Sequence, residues 1–260
     1  MIRSLWSGAT GMQAQQLQLD VIANNLANVN TAGFKKSRVD FEDLLYQKLK
    51  MAGALNAEGN QIPVGMEIGL GVRPVSVNKI FSQGEYEQTH NELDLAIEGR
   101  GFFKVLVNGE EFYTRAGHFK VDRDGYIVTP NGARLQPEFA VPTGTVRIEI
   151  TPDGLITALD QNGNALAQTQ LLLYDFPNPA GLYAEGRNLF RASEAAGDVI
   201  EGQPGREGFG TIAQGYLEMS NVDVVEEMVH MIITQRAYEV NSKSIQTADS
   251  MLELANNLKR

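Results

Sequence analysis

Apolar residues recur with a helical period at both ends of the chain. Large apolar residues stand seven positions apart near the N-terminus, at Leu5, Met12, Leu19 and Leu26. The same spacing recurs near the C-terminus, at Val224, Met231, Tyr238, Ile245 and Leu252. A seven-residue repeat places its members on one stripe of an α-helix, as in coiled coils. The pattern predicts two long terminal helices, and these two apolar stripes together are called the assembly seam.

A second apolar band widens the stripe of the C-terminal helix. It consists of Val229, Ile233, Ala237, Val240, Ala248, Met251, Ala255 and Leu258. A helix with two apolar bands is buried on more than one side. We therefore expect the terminal helices to pair with each other, with other subunits, or with both.

Helix-breaking residues are concentrated in the middle of the chain. All 9 prolines lie between Pro63 and Pro204, and no glycine occurs between residues 12 and 32 or after Gly215. Because proline and glycine interrupt helices, the helices are predicted at residues 1–33 and 220–260. Gly33 is the expected left-handed stop of the first helix, and Ser220 is the expected N-cap of the last.

The middle of the chain reads as β-structure. Dipeptides that favour tight hairpin turns occur at Asn108-Gly109, Asp124-Gly125, Asn131-Gly132, Asp153-Gly154 and Asn162-Gly163. Short β-type runs flank them, which predicts an antiparallel, β-rich outer body at residues 95–185. Residues 34–94 are expected to form an extended or β arm, and residues 186–219 a return arm. The predicted class is α+β, with the terminal helices pairing in a coiled-coil-like layer around a central antiparallel β-rich body.

Composition and motifs argue against several classes of function. The net charge of −10 argues against a nucleic-acid binder, and the chain contains 0 cysteines. His90, His118 and His230 are scattered without metal-ligand spacing, so no metal, cofactor or catalytic residue is predicted. No apolar run is long enough for membrane insertion, and the N-terminus lacks the apolar core of a cleavable signal peptide. We therefore predict a protein that is not an enzyme.

Two functions from different classes fit this organisation. The first is self-assembly through a terminal helical layer, which the assembly seam favours. The second is a secreted β-domain carbohydrate-binding module or enzyme with helical oligomerisation tails. Two catalytic carboxylates on a β-body leave no mark in a sequence, so the motif search leaves this second function open.

Long segments of the chain resemble one protein family. Residues 23–35 (ANNLANVNTAGFK) are similar to the N-terminal signature of the bacterial flagellar rod and hook axial family, and residues 220–228 (SNVDVVEEM) to its other signature. Residues 93–103 and 113–119 resemble motifs of the family's body. The signature positions are Asn24, Asn25, Leu26, Asn28, Thr31, Gly33 and Phe34.

The resemblance implies a structural subunit of a helical tube. Residues 45–82 look like the insertion of the distal rod, which implies a rigid shaft that crosses the periplasm and transmits torque. The implied partners are other copies of the chain, proximal rod subunits, hook subunits, the peptidoglycan-ring and outer-membrane-ring proteins, and the flagellar type III export apparatus. The implied location is the basal body, reached without a cleavable signal peptide. A proximal rod or hook-type axial subunit remains the nearest alternative.

Overall fold

Both ends of the chain are helical in the computed structural model, which describes residues 2–51 and 64–257. Helix α1 spans Ile2–Ala27 and helix α2 spans Val224–Asn257. Antiparallel β-structure forms a body between them in the sequence, so the predicted α+β class is confirmed. No helix in the described part of the chain is long and apolar enough to cross a membrane.

The N-cap of α2 is Asp223 and not the predicted Ser220. The Asp223 Oδ1 accepts hydrogen bonds from the backbone N–H groups of Val225, at 2.8 Å, and Glu226, at 3.1 Å. These donors belong to the first turn of the helix and have no partner within it, so the carboxylate satisfies both. The Ser220 hydroxyl, four residues before the first residue of the helix, instead accepts from the N–H of Val222.

The chain divides into two units. The helical unit comprises residues 1–26, 37–78 and 223–260, and the β unit comprises residues 27–36 and 79–222. Within the helical unit, two strand pairs form a ribbon, β1 with β4 and β2 with β3. These strands are β1 (Ser37–Asp43), β2 (Tyr46–Lys50), β3 (Met66–Gly69) and β4 (Val72–Lys79). The predicted insertion at 45–82 includes β2, β3 and β4 of this ribbon but not β1, and its residues 52–63 lie outside the described part of the chain.

The β unit consists of short strands joined mostly by tight turns. In chain order they are β5 (Tyr86–Gln88), β6 (Leu95–Glu98), β7 (Phe103–Val107), β8 (Glu110–Thr114), β9 (Lys120–Val121), β10 (Ile127–Val128), β11 (Arg134–Gln136), β12 (Arg147–Ile150), β13 (Leu155–Leu159), β14 (Ala165–Gln170), β15 (Leu173–Asp175), β16 (Tyr183–Gly186), β17 (Leu189–Arg191), β18 (Ile200–Gly202), β19 (Thr211–Gln214) and β20 (Tyr216–Glu218).

Each of the predicted hairpin dipeptides lies in a turn between paired antiparallel strands. Asn108-Gly109 joins β7 to β8, and both residues have positive φ, 53° and 90°. Two successive positive φ angles match the twist of the flanking strands, and asparagine and glycine tolerate them best. The other turns join β9 to β10, β10 to β11, β12 to β13, and β13 to β14.

The main sheet of the β unit buries apolar side chains on both faces. Its strand order is β16-β17-β8-β7-β11-β10-β9. Phe103 belongs to the largest buried apolar cluster, whereas its neighbour Phe102 belongs to a second, aromatic cluster. Phe112 and Tyr113 on β8 are divided between the same two clusters. Successive residues of a strand point to opposite faces, so adjacent aromatic residues supply both cores.

The segment expected as a return arm, residues 186–219, is an integral part of the β unit. Its strands pair with strands that come much earlier in the chain: β17 with β8, β19 with β6, and β20 with β5. The glycine-rich sequence predicted a return arm to the last helix here. Long-range strand pairing instead uses these short segments to complete the sheets.

Replacing Phe103 by alanine tests the core of the β unit. Phe103 is fully buried and makes an edge-to-face contact with Phe119 at a centroid distance of 5.4 Å. The cavity should lower the free energy of unfolding by about 3–5 kcal/mol, measured by urea denaturation. Val121→Ala, at an exposed position of β9, is the control and should change stability little. A small loss for Phe103→Ala would contradict the described packing.

Candidate assembly surfaces and the junction of the terminal segments

The helices of the helical unit contact each other closely at two glycines of α1. A Cβ atom on Gly8 would lie 3.0 Å from Ile245 Cγ1, and one on Gly11 would lie 2.9 Å from Asn241 Nδ2. Further along, Asn25 Nδ2 donates to Glu227 Oε2 at 3.3 Å. Early residues of α1 therefore meet late residues of α2, so the two helices run antiparallel.

The predicted seam residues of α1 flank this contact. Leu5, Met12, Leu19 and Leu26 are half-buried, while Gly8 and Ile22 are buried. Glycine on the contact face of a helix lets two helix backbones approach more closely than leucine would allow. The large apolar residues of α1 therefore lie beside the contact. The search for large apolar residues missed the glycines, and the small-residue spacing Gly8-x-x-Gly11 was the available signal.

On α2, the seam residues alternate with smaller or polar residues that are more buried. Met231, Ile245 and Leu252 are half-buried, whereas Val224 and Tyr238 are each 39% exposed. Between them stand Glu227, Thr234 and Ala248, all buried, at the other position of the same heptad stripe. Glu227 and Thr234 are polar, which explains why the hydrophobic pattern did not reveal them, whereas Ala248 belongs to the second apolar band.

Asn25 connects three segments of the helical unit. Its Oδ1 accepts from the Ser37 N–H at 2.9 Å, and its Nδ2 donates to the Ser37 carbonyl at 2.9 Å and to Glu227. The side chain is almost completely buried, and its carboxamide satisfies both backbone groups of the residue that begins β1. Asn25 thus positions α1, β1 and α2 together. The sequence analysis placed Asn25 in the family signature without this role.

The signature residues that follow α1, Asn28, Thr31, Gly33 and Phe34, form the turn after this helix. The Thr31 hydroxyl donates to Asn28 Oδ1 at 3.3 Å, and the Phe34 N–H donates to the Thr31 carbonyl at 3.2 Å. Gly33 has a φ of +72°, and a Cβ atom there would lie 2.5 Å from the Ala116 nitrogen. Only glycine meets both conditions without a shift of the backbone. Asn24 is exposed on α1.

A fully buried ion pair follows this turn, inside the β unit. Lys35 Nζ lies 2.5 Å from Glu218 Oε1 and donates to the Ser82 carbonyl at 2.6 Å. Arg115 Nη1 lies 3.4 Å from Glu218 Oε2, and Arg115 Nη2 donates to the Gly99 carbonyl at 2.6 Å. One carboxylate therefore holds two cations.

Burial sets the protonation behaviour of this cluster. Loss of solvent lowers the pKa of the Lys35 ammonium and of the Arg115 guanidinium, and the neighbouring Glu218 carboxylate opposes both shifts. The sequence analysis missed this site, because its lysine and glutamate stand 183 positions apart. Within the described part of the chain, no group of three or more histidine, cysteine, aspartate or glutamate residues is arranged to hold a metal ion.

The outward surface of α2 is strongly apolar in its first half. Val225, Met228, Val229, Ile232 and Ile233 are between 49% and 71% exposed. The second apolar band predicted from the sequence includes two of them, and Val240 and Met251 of that band are also exposed. Exposed apolar patches of this kind mark interaction surfaces in soluble proteins.

The ribbon of the helical unit carries a second exposed apolar surface. Every residue of β2 is exposed. The exposed apolar side chains of the ribbon include Leu45, Tyr46, Met66 and Ile68. An isolated two-stranded ribbon is marginally stable in water, so such a surface favours contact with another molecule.

Replacing Asn25 by alanine tests the junction of α1, β1 and α2. The substitution leaves the half-buried backbone groups of Ser37 and the buried Glu227 carboxylate without this partner, so the free energy of unfolding should fall by about 1–3 kcal/mol. Denaturation followed by helical circular dichroism measures the change. Gln16→Ala, on the exposed face of α1, is the matched control. Equal stability of the two variants would show that Asn25 does not organise the unit.

Comparison with known proteins places the chain in one family. Residues 5–35 match the family described as flagella basal body rod protein, residues 96–158 the flagellar hook protein FlgE/F/G D1 domain, and residues 213–258 the flagellar basal body rod FlgEFG protein C-terminal region. The chain is 47% identical to the flagellar basal-body rod protein FlgG of Borreliella burgdorferi, with 100% of both chains covered. It is also 47% identical to FlgG of Buchnera aphidicola subsp. Schizaphis graminum, over 97% of this chain and 98% of that protein. FlgG of Caulobacter vibrioides is 44% identical over 99% of this chain and 100% of that protein. The chain therefore belongs to the flagellar basal-body rod protein family.

Proposed function

We infer that the chain is a structural subunit of the flagellar distal rod, which self-assembles into a rigid tubular drive shaft. The observation that carries this conclusion is the exposed apolar surface of α2 in a full-length relative of flagellar rod proteins. A single copy leaves this surface in water, and burying apolar surface is favourable. A second copy of the chain carries the same long helices and supplies the missing contact.

The assembly seam and the exposed band of α2 have different roles in this proposal. Ile245 already contacts α1 of its own chain near Gly8, so this side of α2 holds the two helices of one subunit together. Ile232 and Ile233 lie outside that contact and are free to pack against helices of neighbouring subunits. The resulting coiled-coil-like layer of residues 1–33 and 220–260 would form the inner tube, with residues 95–185 in the outer body.

The insertion at residues 45–82, which includes β2, β3 and β4 of the ribbon, is proposed to stiffen the shaft. Its described strands expose apolar side chains, and its turn packs on α1, where Gly71 lies against Thr10 and its Cβ would be 3.5 Å from the Ser7 Cα. The ribbon is thus anchored to α1 of its own chain and also carries exposed apolar residues. Contact with the next subunit would resist bending of the tube.

The remaining partners follow from family membership. We propose contacts with proximal rod subunits at one end of the shaft, hook subunits at the other, and the peptidoglycan-ring and outer-membrane-ring proteins along its side. Export would use the flagellar type III apparatus, and the shaft would span the periplasm. Torque transmission needs no catalytic residue, which agrees with a protein that is not an enzyme.

Charged substitutions on the exposed band test the assembly surface. Ile232→Asp and Ile233→Asp should reduce polymer formation strongly, since each would bury an unpaired carboxylate at the subunit contact. Sedimentation of purified protein and electron microscopy of basal bodies measure assembly. Gln235→Asp adds the same charge at an exposed position of α2 whose native side chain is already polar, and serves as the control. Near-ultraviolet circular dichroism should be unchanged in all three, because the β unit is untouched.

Substitutions within the seam give a separate test of the helix pair. Leu19→Asp and Ile245→Asp place a charge beside the contact between α1 and α2, so both assembly and helix content should fall while the β unit stays folded. Rods of normal length from either variant would show that the seam is not needed for assembly.

Deletion of residues 46–64 tests the stiffening role of the ribbon. Rods from this variant should be curved or bendable in electron micrographs, whereas rods of the unaltered chain should be straight. The double substitution Lys48→Gln and Glu67→Gln is the control, because it removes only an exposed ion pair of the ribbon. Straight rods after the deletion would contradict the stiffening role and favour a proximal rod subunit or another axial position.

A further inference from the structure

Chain segments that pass between the two units converge on one polar cluster inside the β unit. The chain passes from one unit to the other after residues 26, 36, 78 and 222. Lys35 precedes the second of these points, Ser82 follows the third, and Glu218 and Asn221 precede the fourth. After the first of these points the chain enters the β unit for residues 27–36, and this segment ends with Lys35 and Lys36.

Asn221 forms hydrogen bonds with the segment that ends at Lys36 and with the segment around Ile80 and Ser82. Its Oδ1 accepts from the Lys36 N–H at 2.7 Å, and its Nδ2 donates to the Ile80 carbonyl at 2.8 Å and to Ser82 Oγ at 2.9 Å. The carboxamide therefore links residues 33–36, 80–84 and 218–222, which are here called the neck segments. Residues 34–36, 80–85 and 219–223 are neither helix nor strand, so ladders of backbone hydrogen bonds do not hold them.

Glu218 links the same neck segments a second time. Its Oε1 accepts from Lys35 Nζ and from the Gly84 N–H at 3.1 Å, and its carbonyl accepts from the Gly33 N–H at 2.7 Å. Arg115 then ties the carboxylate to the β unit through the carbonyl of Gly99. Each neck segment is thus bonded to both of the others and, through Arg115, to the main sheet.

The chemistry of the cluster suits fixing positions more than adding stability. The desolvation of a buried ion pair offsets most of its attraction, so a pair of apolar residues would stabilise the fold at least as well. Charge-assisted hydrogen bonds are short and directional, whereas apolar contacts allow sliding. Asn221 and Glu218 are two separate polar hubs, and together they resist displacement of the neck segments relative to one another.

We propose that Lys35, Ser82, Arg115, Glu218 and Asn221 form a mechanical staple that makes the neck segments move as one. The proposal rests on the proposed function for its purpose, because a shaft subunit must carry twisting force along these connections without shear between them. The staple itself is a property of the single chain and is independent of assembly.

Hydrogen exchange of the full-length monomer tests the staple. In Asn221→Ala, the amide N–H groups of Gly33, Ile80 and Gly84 should exchange together about tenfold faster, although none of these N–H groups donates to Asn221. The core amides of Leu95 and Phe102 should keep their protection. Faster exchange of the Lys36 amide alone would overturn the proposal, since that amide is the only direct donor to Asn221 among these segments in the described chain.

Asn178→Ala is the matched control. Asn178 also donates from its side chain to a backbone carbonyl, that of Ala195 at 3.0 Å, but it lies elsewhere in the β unit. It should leave the neck amides unchanged. Glu218→Gln removes the charge at similar volume and should accelerate the same three amides, which shows whether both hubs hold the same segments.

Rotation under load tests the mechanical role in cells. Strains with Asn221→Ala should build normal numbers of basal bodies and swim normally in dilute medium, but lose speed in viscous medium relative to Asn178→Ala. Unchanged speed in viscous medium, or absent rods, would overturn the mechanical role. Failure of the distal-rod function would appear differently, as normal rods in a strain that lacks the whole chain.

Discussion

The β unit depends on a carboxylate that is completely removed from water between two cations. Glu218 would be very costly to bury alone, and Lys35 and Arg115 would be equally costly without it. The three must therefore be buried together, and they come from distant parts of the chain. This requirement links the segment after α1 and the segment before α2 to the main sheet. Removing one partner would leave an uncompensated charge in the interior.

The helical unit is organised by a different and weaker constraint. Asn25 satisfies the backbone of Ser37 and reaches Glu227, while Gly8 and Gly11 let the helices approach. These contacts settle register and separation, yet they leave much apolar surface of α2 exposed. A unit of this kind completes its burial only in an assembly, which is how a polymer subunit differs from a self-sufficient domain.

Local signals in the sequence were reliable where short-range chemistry decides the structure. The turn at Asn108-Gly109 and the other hairpin dipeptides all lie between paired strands, because asparagine and glycine accept the required backbone angles locally. The helical period of both termini was likewise sufficient to predict α1 and α2. The N-cap was wrong by three positions, since Ser220 and Asp223 are both good caps and only the path of the chain chooses between them.

The sequence by itself determined the class of the fold, the terminal helices, the hairpins and the family, because each depends on local backbone preferences, on periodicity or on long matching segments. Only the tertiary structure decided that residues 186–219 complete the sheets, that Gly8 and Gly11 of α1 lie against Ile245 and Asn241 of α2, and that Lys35 meets Glu218. These are pairings between distant residues, and many partners along the chain have suitable chemistry. Burial of the whole set at once selects one partner for each, and no local pattern encodes that selection.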